Sequence, residues 1–260
     1  MQAQRVDDDT FVIRQSVRTN FEAPFLHLLM GNDRALLIDS GAGGLKVLPM
    51  IDALIGDWLA RNNRTSIPLV VAHSHSHGDH HQGDEEFRAR PDTTVVGLKP
   101  KEVASFFGVA SWPDDVATFD LGGRALSIIP TPGHEPAHIM VYDPRTRLLF
   151  SGDMLYSGRL YVPRDQFATF VASADRLAAF ASAHPISALL GAHVEMTITP
   201  GKDYPMEAPV HADEHPLELP ADAIQRLQAA VHRMKADPVL GNEGDFIIYP
   251  RPLTTNGVSQ

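Results

Sequence analysis

The sequence predicts a layered α/β domain, and three observations carry that expectation. Short apolar strands recur in two blocks, each followed by helical stretches. Such grouping favours sheets with helices packed outside over an all-parallel, doubly wound sheet. At 43% hydrophobic, the 260 residues can bury a substantial core, which suits one large domain or two small ones. Several apolar strands also run directly into His- or Asp-bearing turns, as expected where side chains gather beyond strand ends.

The elements follow in order. Residues 10–15, 25–30 and 34–39 are apolar and β-branched enough for strands, and Gly31-Asn32-Asp33 turns the last two into a hairpin. Asp39-Ser40-Gly41-Ala42-Gly43-Gly44 breaks the chain. Leu45, Leu48, Ile51, Leu54, Ile55, Trp58 and Leu59 then recur at a helical period. Residues 68–72 form a buried strand, and further strands are expected at 94–97, 125–130, 139–142 and 148–151. Residues 167–183 are helical, with Phe170, Leu177 and Phe180 on the apolar side, and 187–190 are again a buried strand. Residues 197–220 are Pro-rich and read as a long loop, a type that often serves as a lid. A last amphipathic helix is expected over 221–236, so the reading is a single domain spanning 1–260.

Composition narrows the function. No apolar run approaches the ~18 residues of a membrane span. No basic-then-apolar signal opens the chain, and Met1-Gln2-Ala3-Gln4 suits a native or a trimmed start. The expectation is a soluble protein, cytoplasmic or, if trimmed, periplasmic. Cysteine is absent, so any metal must be held by His and carboxylates. A formal net charge of −10 argues against nucleic acid as a partner. Neither Gly-x-Gly-x-x-Gly nor Gly-Lys-Ser/Thr occurs, which removes support for nucleotide chemistry.

The most informative stretch is His75-Ser76-His77-Gly78-Asp79-His80. It places four metal-competent side chains within six positions, on a segment too rich in His and Gly for an ordinary helix face. Packing explains such crowding poorly, because buried imidazoles and carboxylates are costly without partners. Three later segments end strands with a comparable side chain: Thr131-Pro132-Gly133-His134, Ser151-Gly152-Asp153 and Gly191-Ala192-His193. Imidazole and carboxylate together suit zinc, iron or manganese.

In this order the four motifs, with the Asp39-Ser40-Gly41 turn, resemble those of the metallo-β-lactamase-fold hydrolases over roughly residues 10–195. The resemblance implies an αββα sandwich with two metal ions, normally zinc, at one edge. It implies His75, His77 and His134 on one ion, Asp79, His80 and His193 on the other, and Asp153 bridging them. A bridging hydroxide would then attack an acyl carbon, with Asp79 orienting it. Two metals can ionise water near neutral pH and clamp the attacking and leaving atoms.

The bridging position is Asp rather than the Cys or Ser of dedicated lactamases. By resemblance this favours a carboxylic ester, lactone or thioester as a small-molecule acyl substrate. β-Lactam hydrolysis, phosphodiester or nuclease activity, and an iron-dependent sulfur dioxygenase remain alternatives. The full second-ion set argues against the mononuclear dioxygenases. Tyr156, three residues after Asp153, is similar to a tyrosine that reaches the substrate carbonyl in lactonases, and it is expected to donate to an oxyanion. The chain departs from glyoxalase-type thioesterases in lacking a long helical glutathione-binding region, and it carries Glu135-Pro136-Ala137-His138 after His134. Residues 20–25 are expected to flap over the site. Leu155, Tyr156, Leu160, Tyr161 and 196–209 are expected to build a mostly apolar mouth. His73 and His81 offer a competing register but are read as structural, as are His211 and His215. Asp39 is read chiefly as a turn former, with support of a ligand His as the alternative. The oligomeric state is not legible.

Overall fold

The computed structural model describes residues 1–252, so the last eight residues of the expected 1–260 span lie outside the described residues. The first sheet runs in spatial order β1 (Gln2–Asp7), β2 (Thr10–Arg14), β3 (Phe25–Met30), β4 (Ala35–Ile38), β5 (Leu69–Ala72) and β6 (Thr93–Val95). Its first four strands pair antiparallel and its last two join in parallel. Helix α1 (Leu48–Arg61) makes the crossover between β4 and β5. After β5 come the short helices α2 (Gly78–His81) and α3 (Asp84–Arg88), and after β6 comes α4 (Pro100–Phe107).

The second sheet is built from β7 (Ala117–Asp120), β8 (Ala125–Pro130), β9 (Ile139–Asp143), β10 (Leu148–Gly152), β12 (Ala188–Gly191) and β13 (Glu218–Leu219). Helix α5 (Phe167–Ala183) connects β10 to its parallel neighbour β12, and α6 (Ala223–Met234) lies against α5. A third, three-stranded sheet was not foreseen. In it β11 (Arg159–Pro163) pairs in parallel with β15 (Ile247–Arg251), which also pairs with β14 (Gly241–Asn242).

The layers follow from side-chain alternation. Along β3, β4 and β5, Leu29, Leu36, Ile38, Val70 and Ala72 face the second sheet. Their neighbours Leu28, Met30, Ala35, Leu37, Leu69 and Val71 face α1 through Ile51, Ile55 and Trp58. In the second sheet Ile128, Ile139, Val141 and Phe150 complete the inter-sheet core. Met140, Tyr142 and Leu149 turn outward to Phe170 and Leu177 of α5 and Leu227 and Val231 of α6. A period of two in strands buried on both faces yields two cores per sheet, and hence the αββα order expected from the sequence.

The two sheets also meet through the backbone at the ligand-bearing end. Ile139 N–H donates to Ser74 O at 2.8 Å, and Phe25 N–H donates to Ala192 O at 2.8 Å. Residues 197–220 are largely irregular, as expected, but carry the isolated bridges Met196–Asp203 and Thr197–Glu214 before β13. Among the described residues no helix is long and apolar enough to cross a membrane.

Candidate metal centre

The four sequence motifs sit directly beyond the C-terminal ends of β5, β8, β10 and β12. His75 and His77 lie in the turn after β5. Gly78–His81 then closes one helical turn, so part of a segment read as too rich in His and Gly for an ordinary helix face is helical. His134 follows β8, Asp153 follows β10 and His193 follows β12. The break before Asp153 needs glycine. Gly152 has φ +51°, and a Cβ there would lie 2.7 Å from His138 Nε2 and 2.8 Å from Ser74 Cβ.

The structure brings all seven expected side chains together. His75, His77 and His134 form one group, and Asp79, His80 and His193 another. His75, His80 and Asp153 link them, and the ligand atoms within each group lie no more than 4.8 Å apart. Ring nitrogens of the cluster face one another at close range. His75 Nε2 is 2.9 Å from His77 Nδ1, and His134 Nε2 is 3.0 Å from the same atom. Asp153 Oδ2 stands 3.6 Å from His134 Nε2 and 3.8 Å from both His75 Nε2 and His80 Nε2. Asp79 Oδ2 stands 3.2 Å from His80 Nε2 and His193 Nε2.

Supporting acceptors settle which nitrogen of three rings points inward. His134 Nδ1–H donates to Tyr161 O at 2.6 Å, and His193 Nδ1–H donates to Glu22 O at 2.7 Å. His80 Nδ1–H donates to Asp39 Oδ2 at 2.9 Å. A carbonyl or carboxylate can only accept, so in the neutral ring Nε2 keeps its lone pair for the cluster.

The electrostatics of the two halves differ. Burial and the surrounding imidazoles hold His75 well below the usual His range, and burial lowers His134 to about 4. Burial also opposes charge on His193, but Asp153 and Asp79 override it and raise this ring to about 10. Asp39, Asp79 and Asp153 likewise raise His80 against its burial. The carboxylates Asp79 and Asp153 are themselves pulled far below the usual range by the facing histidines, again against burial. The carboxylate-bearing half thus demands positive charge, while the other half presents unprotonated nitrogens. Asp153 Oδ1 is buried without a hydrogen-bond partner. A divalent cation or a pair of them answers all three observations, so these residues fit such a group.

Asp39 does both things weighed for it. Its αL backbone, at φ +66°, makes the turn. Its carboxylate accepts Ser74 N–H at 2.7 Å and Ser74 Oγ–H at 3.0 Å as well as the His80 ring. His138 carried no expectation, yet it supports the Asp153 turn. Its Nε2 accepts Asp153 N–H at 3.1 Å and Met154 N–H at 3.2 Å, and its Nδ1–H donates to Thr131 Oγ1 at 2.8 Å. Its place one residue before a strand was the only available hint. His73 turns away from the cluster, with Nε2 2.8 Å from Asp84 Oδ1. Among the described residues Asp79 and His80 belong to the groups that could hold a metal, whereas His73 and His81 belong to none.

A cavity of about 460 Å³ opens onto His77, Asp79, His134, Asp153 and His193. Phe21 and Glu22 border it, as do Tyr204, Pro205, Met206 and Glu207 of the Pro-rich loop, in keeping with the segments expected over the site. Three expectations are amended. Leu155 and Leu160 are fully buried in the core beneath α5 rather than in the mouth. The mouth carries charge beside its apolar surface, for Arg159, Glu195 and Arg251 line it too, all outside the expected set. His211 is also in the wall, stacked on Tyr204 at 4.1 Å between ring centroids.

Tyr156 lines the cavity, but its one proton is committed. The hydroxyl donates to Arg159 O at 2.6 Å and lies 3.1 Å from Glu195 Oε2. Burial and Glu195 keep the phenol well above its usual range. In this arrangement it anchors β11 instead of offering a free donor to an oxyanion.

An αββα sandwich whose strand ends gather histidine and aspartate side chains beside an open cavity is an architecture suited to holding metal ions. The chain belongs to the metallo-beta-lactamase superfamily, whose sequence signature matches residues 25–182. It is similar to the acyl-coenzyme A thioesterase MBLAC2 of Bos taurus, 29% identical over 203 residues that cover 65% of this chain and 72% of that protein. It is also similar to the hydroxyacylglutathione hydrolase of Rhizobium meliloti strain 1021, 32% identical over 91 residues, or 34% of this chain and 35% of that one. Among solved structures, a metallo-beta-lactamase from Pontibacter korlensis superposes with a TM-score of 0.56 at 17% identity, covering 89% of this chain and 98% of that chain. At that identity the likeness speaks for the fold alone.

Proposed function

We propose that this protein is a metal-dependent hydrolase that cleaves small acyl thioesters, with esters and lactones as weaker substrates. The observation that carries the reading is the convergence of His75, His77, Asp79, His80, His134, Asp153 and His193, five of which line one open cavity. Similarity to a coenzyme A thioesterase and to a glutathione thioester hydrolase favours sulfur as the leaving atom. His75, His77 and His134 would hold one ion and Asp79, His80 and His193 a second, with Asp153 between them. Zinc suits this donor set. When bound, such a pair supplies Lewis acidity and water ionised near neutral pH.

The chain's own residues do the rest. Asp39, Tyr161 O and Glu22 O hold three imidazoles in the tautomer that turns Nε2 inward. Asp79 borders both the cluster and the cavity, so its carboxylate can accept a hydrogen bond from the attacking water and orient it. Tyr156 is assigned to the wall and not to proton donation.

The test is a substrate panel of acyl-coenzyme A, hydroxyacylglutathione, a simple ester, a lactone, a phosphodiester and a β-lactam, run with metal-reconstituted protein. Thioesters should turn over fastest, and chelation should abolish the activity. Asp153→Ala should cost at least about 100-fold, because several kcal/mol of charge stabilisation goes with it. Metal analysis should find two zinc ions per chain. One iron per chain, or turnover indifferent to both chelator and Asp153→Ala, would overturn the reading.

A further inference from the structure

The third sheet places at the mouth of the site a cation with no carboxylate partner among the described residues. β11 pairs in parallel with β15 in the register Tyr161–Tyr249 and Pro163–Arg251. Across this pairing the Arg251 guanidinium lies over the Tyr161 ring, 3.8 Å from its centroid, and 5.7 Å from that of Tyr249. A guanidinium laid on an aromatic face keeps its N–H edge free for an in-plane acceptor. The next residue is anchored, since Arg164 Nε–H donates to Pro252 O at 2.6 Å.

The two arginines of the cavity wall are in different situations. Arg159 is occupied by Glu195 at 3.1 Å, by Asp203 at 2.6 Å and by Tyr204 O. Arg251 is exposed and has no carboxylate partner among the described residues. In a chain of formal net charge −10, an arginine left unpaired beside a reactive site is a locus for an anion. The same β11 segment orients the centre, because Tyr161 O accepts His134 Nδ1–H. The stacking platform and the ligand it steadies are therefore parts of one strand.

We propose that Arg251, stacked on Tyr161, binds the anionic group on the thiol-bearing half of the substrate. The exposed apolar side chains of Phe21 and Met206, which border the same cavity, then receive the acyl half. This rests on the thioesterase reading and adds to it a division of the mouth. The anion is a phosphate if the carrier is coenzyme A, and a carboxylate if it is glutathione.

Calorimetric titration separates this proposal from catalysis. The metal-reconstituted protein and its R251A and R251K variants are titrated with free coenzyme A, S-methylglutathione and uncharged pantetheine. R251A should weaken at least one anionic probe about tenfold, the ratio that one charge-assisted hydrogen bond provides, and leave pantetheine unchanged. R251K should recover part of the loss. A response with coenzyme A alone identifies the phosphate source, and one with S-methylglutathione alone the carboxylate source. Equal binding by the parent protein and R251A, equal loss for pantetheine, or no binding of either anionic probe by the parent protein overturns the proposal. Arg251-dependent binding without any thioester turnover would instead sink the hydrolase reading while leaving the anion site standing.

Discussion

Asp39 Oδ2 lies 2.9 Å from His80 Nδ1, so a residue in the turn after β4 sets the orientation of a ring 41 residues later in the chain. Both side chains are buried, and the same carboxylate holds the Ser74 backbone next to His75. Asp39→Asn keeps a residue that tolerates the αL backbone but removes the charge that fixes the His80 tautomer. Metal affinity should fall about 10–100-fold, as for other partners of ligating histidines. Chelator competition measures this directly, and unchanged affinity would assign Asp39 to the turn alone.

His138 accepts two backbone N–H groups at the Asp153 turn. His138→Ala strands both donors in the interior, at about 1–3 kcal/mol for each group left unsatisfied. The midpoint of urea unfolding should drop accordingly. Thioester turnover should fall by more than the unfolded fraction explains, because Asp153 loses its fixed approach to the cluster. Full turnover per folded molecule would show that Gly152 alone suffices to place Asp153.

Arg124 and Asp143 form an ion pair at 2.7 Å, both nearly inaccessible to solvent. The guanidinium also donates to Met30 O and Thr10 Oγ1, which ties the two large sheets together. Burial disfavours the Asp143 charge, but Arg124 outweighs it and holds the carboxyl below the usual range. A depressed carboxylate contributes stability above its unfolded pKa of ~3.9, and that contribution is lost as pH falls toward the folded value. Asp143→Asn should therefore destabilise by about 3–5 kcal/mol at pH 7, because it leaves a buried cation unpaired. The difference from the parent protein should shrink below pH ~4, where the carboxyl of the unfolded parent chain protonates before the folded one does. Denaturant unfolding at both pH values checks the sign.

Arg14 clasps Glu214 through two hydrogen bonds, one of them 2.6 Å, and so straps the Pro-rich loop to β2. Glu214 also accepts from His211 at 3.0 Å, and His211 stacks on Tyr204 in the cavity wall. Arg14→Ala should speed amide exchange across 204–214. Global stability should change by no more than about 1 kcal/mol, since the pair is partly exposed. Uniform exchange across the molecule would place the strap's contribution in the core and not in the loop.

Most of the architecture was legible where one face of a strand or helix repeats apolar residues. Residues 25–30, 125–130 and 167–183 coincide with β3, β8 and α5. Others escaped because their signal is weak or shared. In β1 five of the six residues are exposed, and its pairing with β2 is what orders it. β7 alternates buried and exposed over four residues only, and α4 is eight residues long. The seven residues that converge were legible as candidate ligands because chemistry demands particular side chains in crowded spacing. Arg159, His138 and Arg251 were not, because what matters about them is which groups they meet.

The amino-acid sequence by itself determined the strand alternation and the seven candidate ligands with their order, since both are properties of short stretches of chain. Only the tertiary structure decided that β11 and β15, distant in the chain, align in parallel, that the Tyr156 proton goes to Arg159 O, and that one arginine at the mouth is paired while another has no carboxylate partner among the described residues. Those outcomes depend on non-local pairing and on competition among buried polar groups for partners, and neither leaves a local pattern to read.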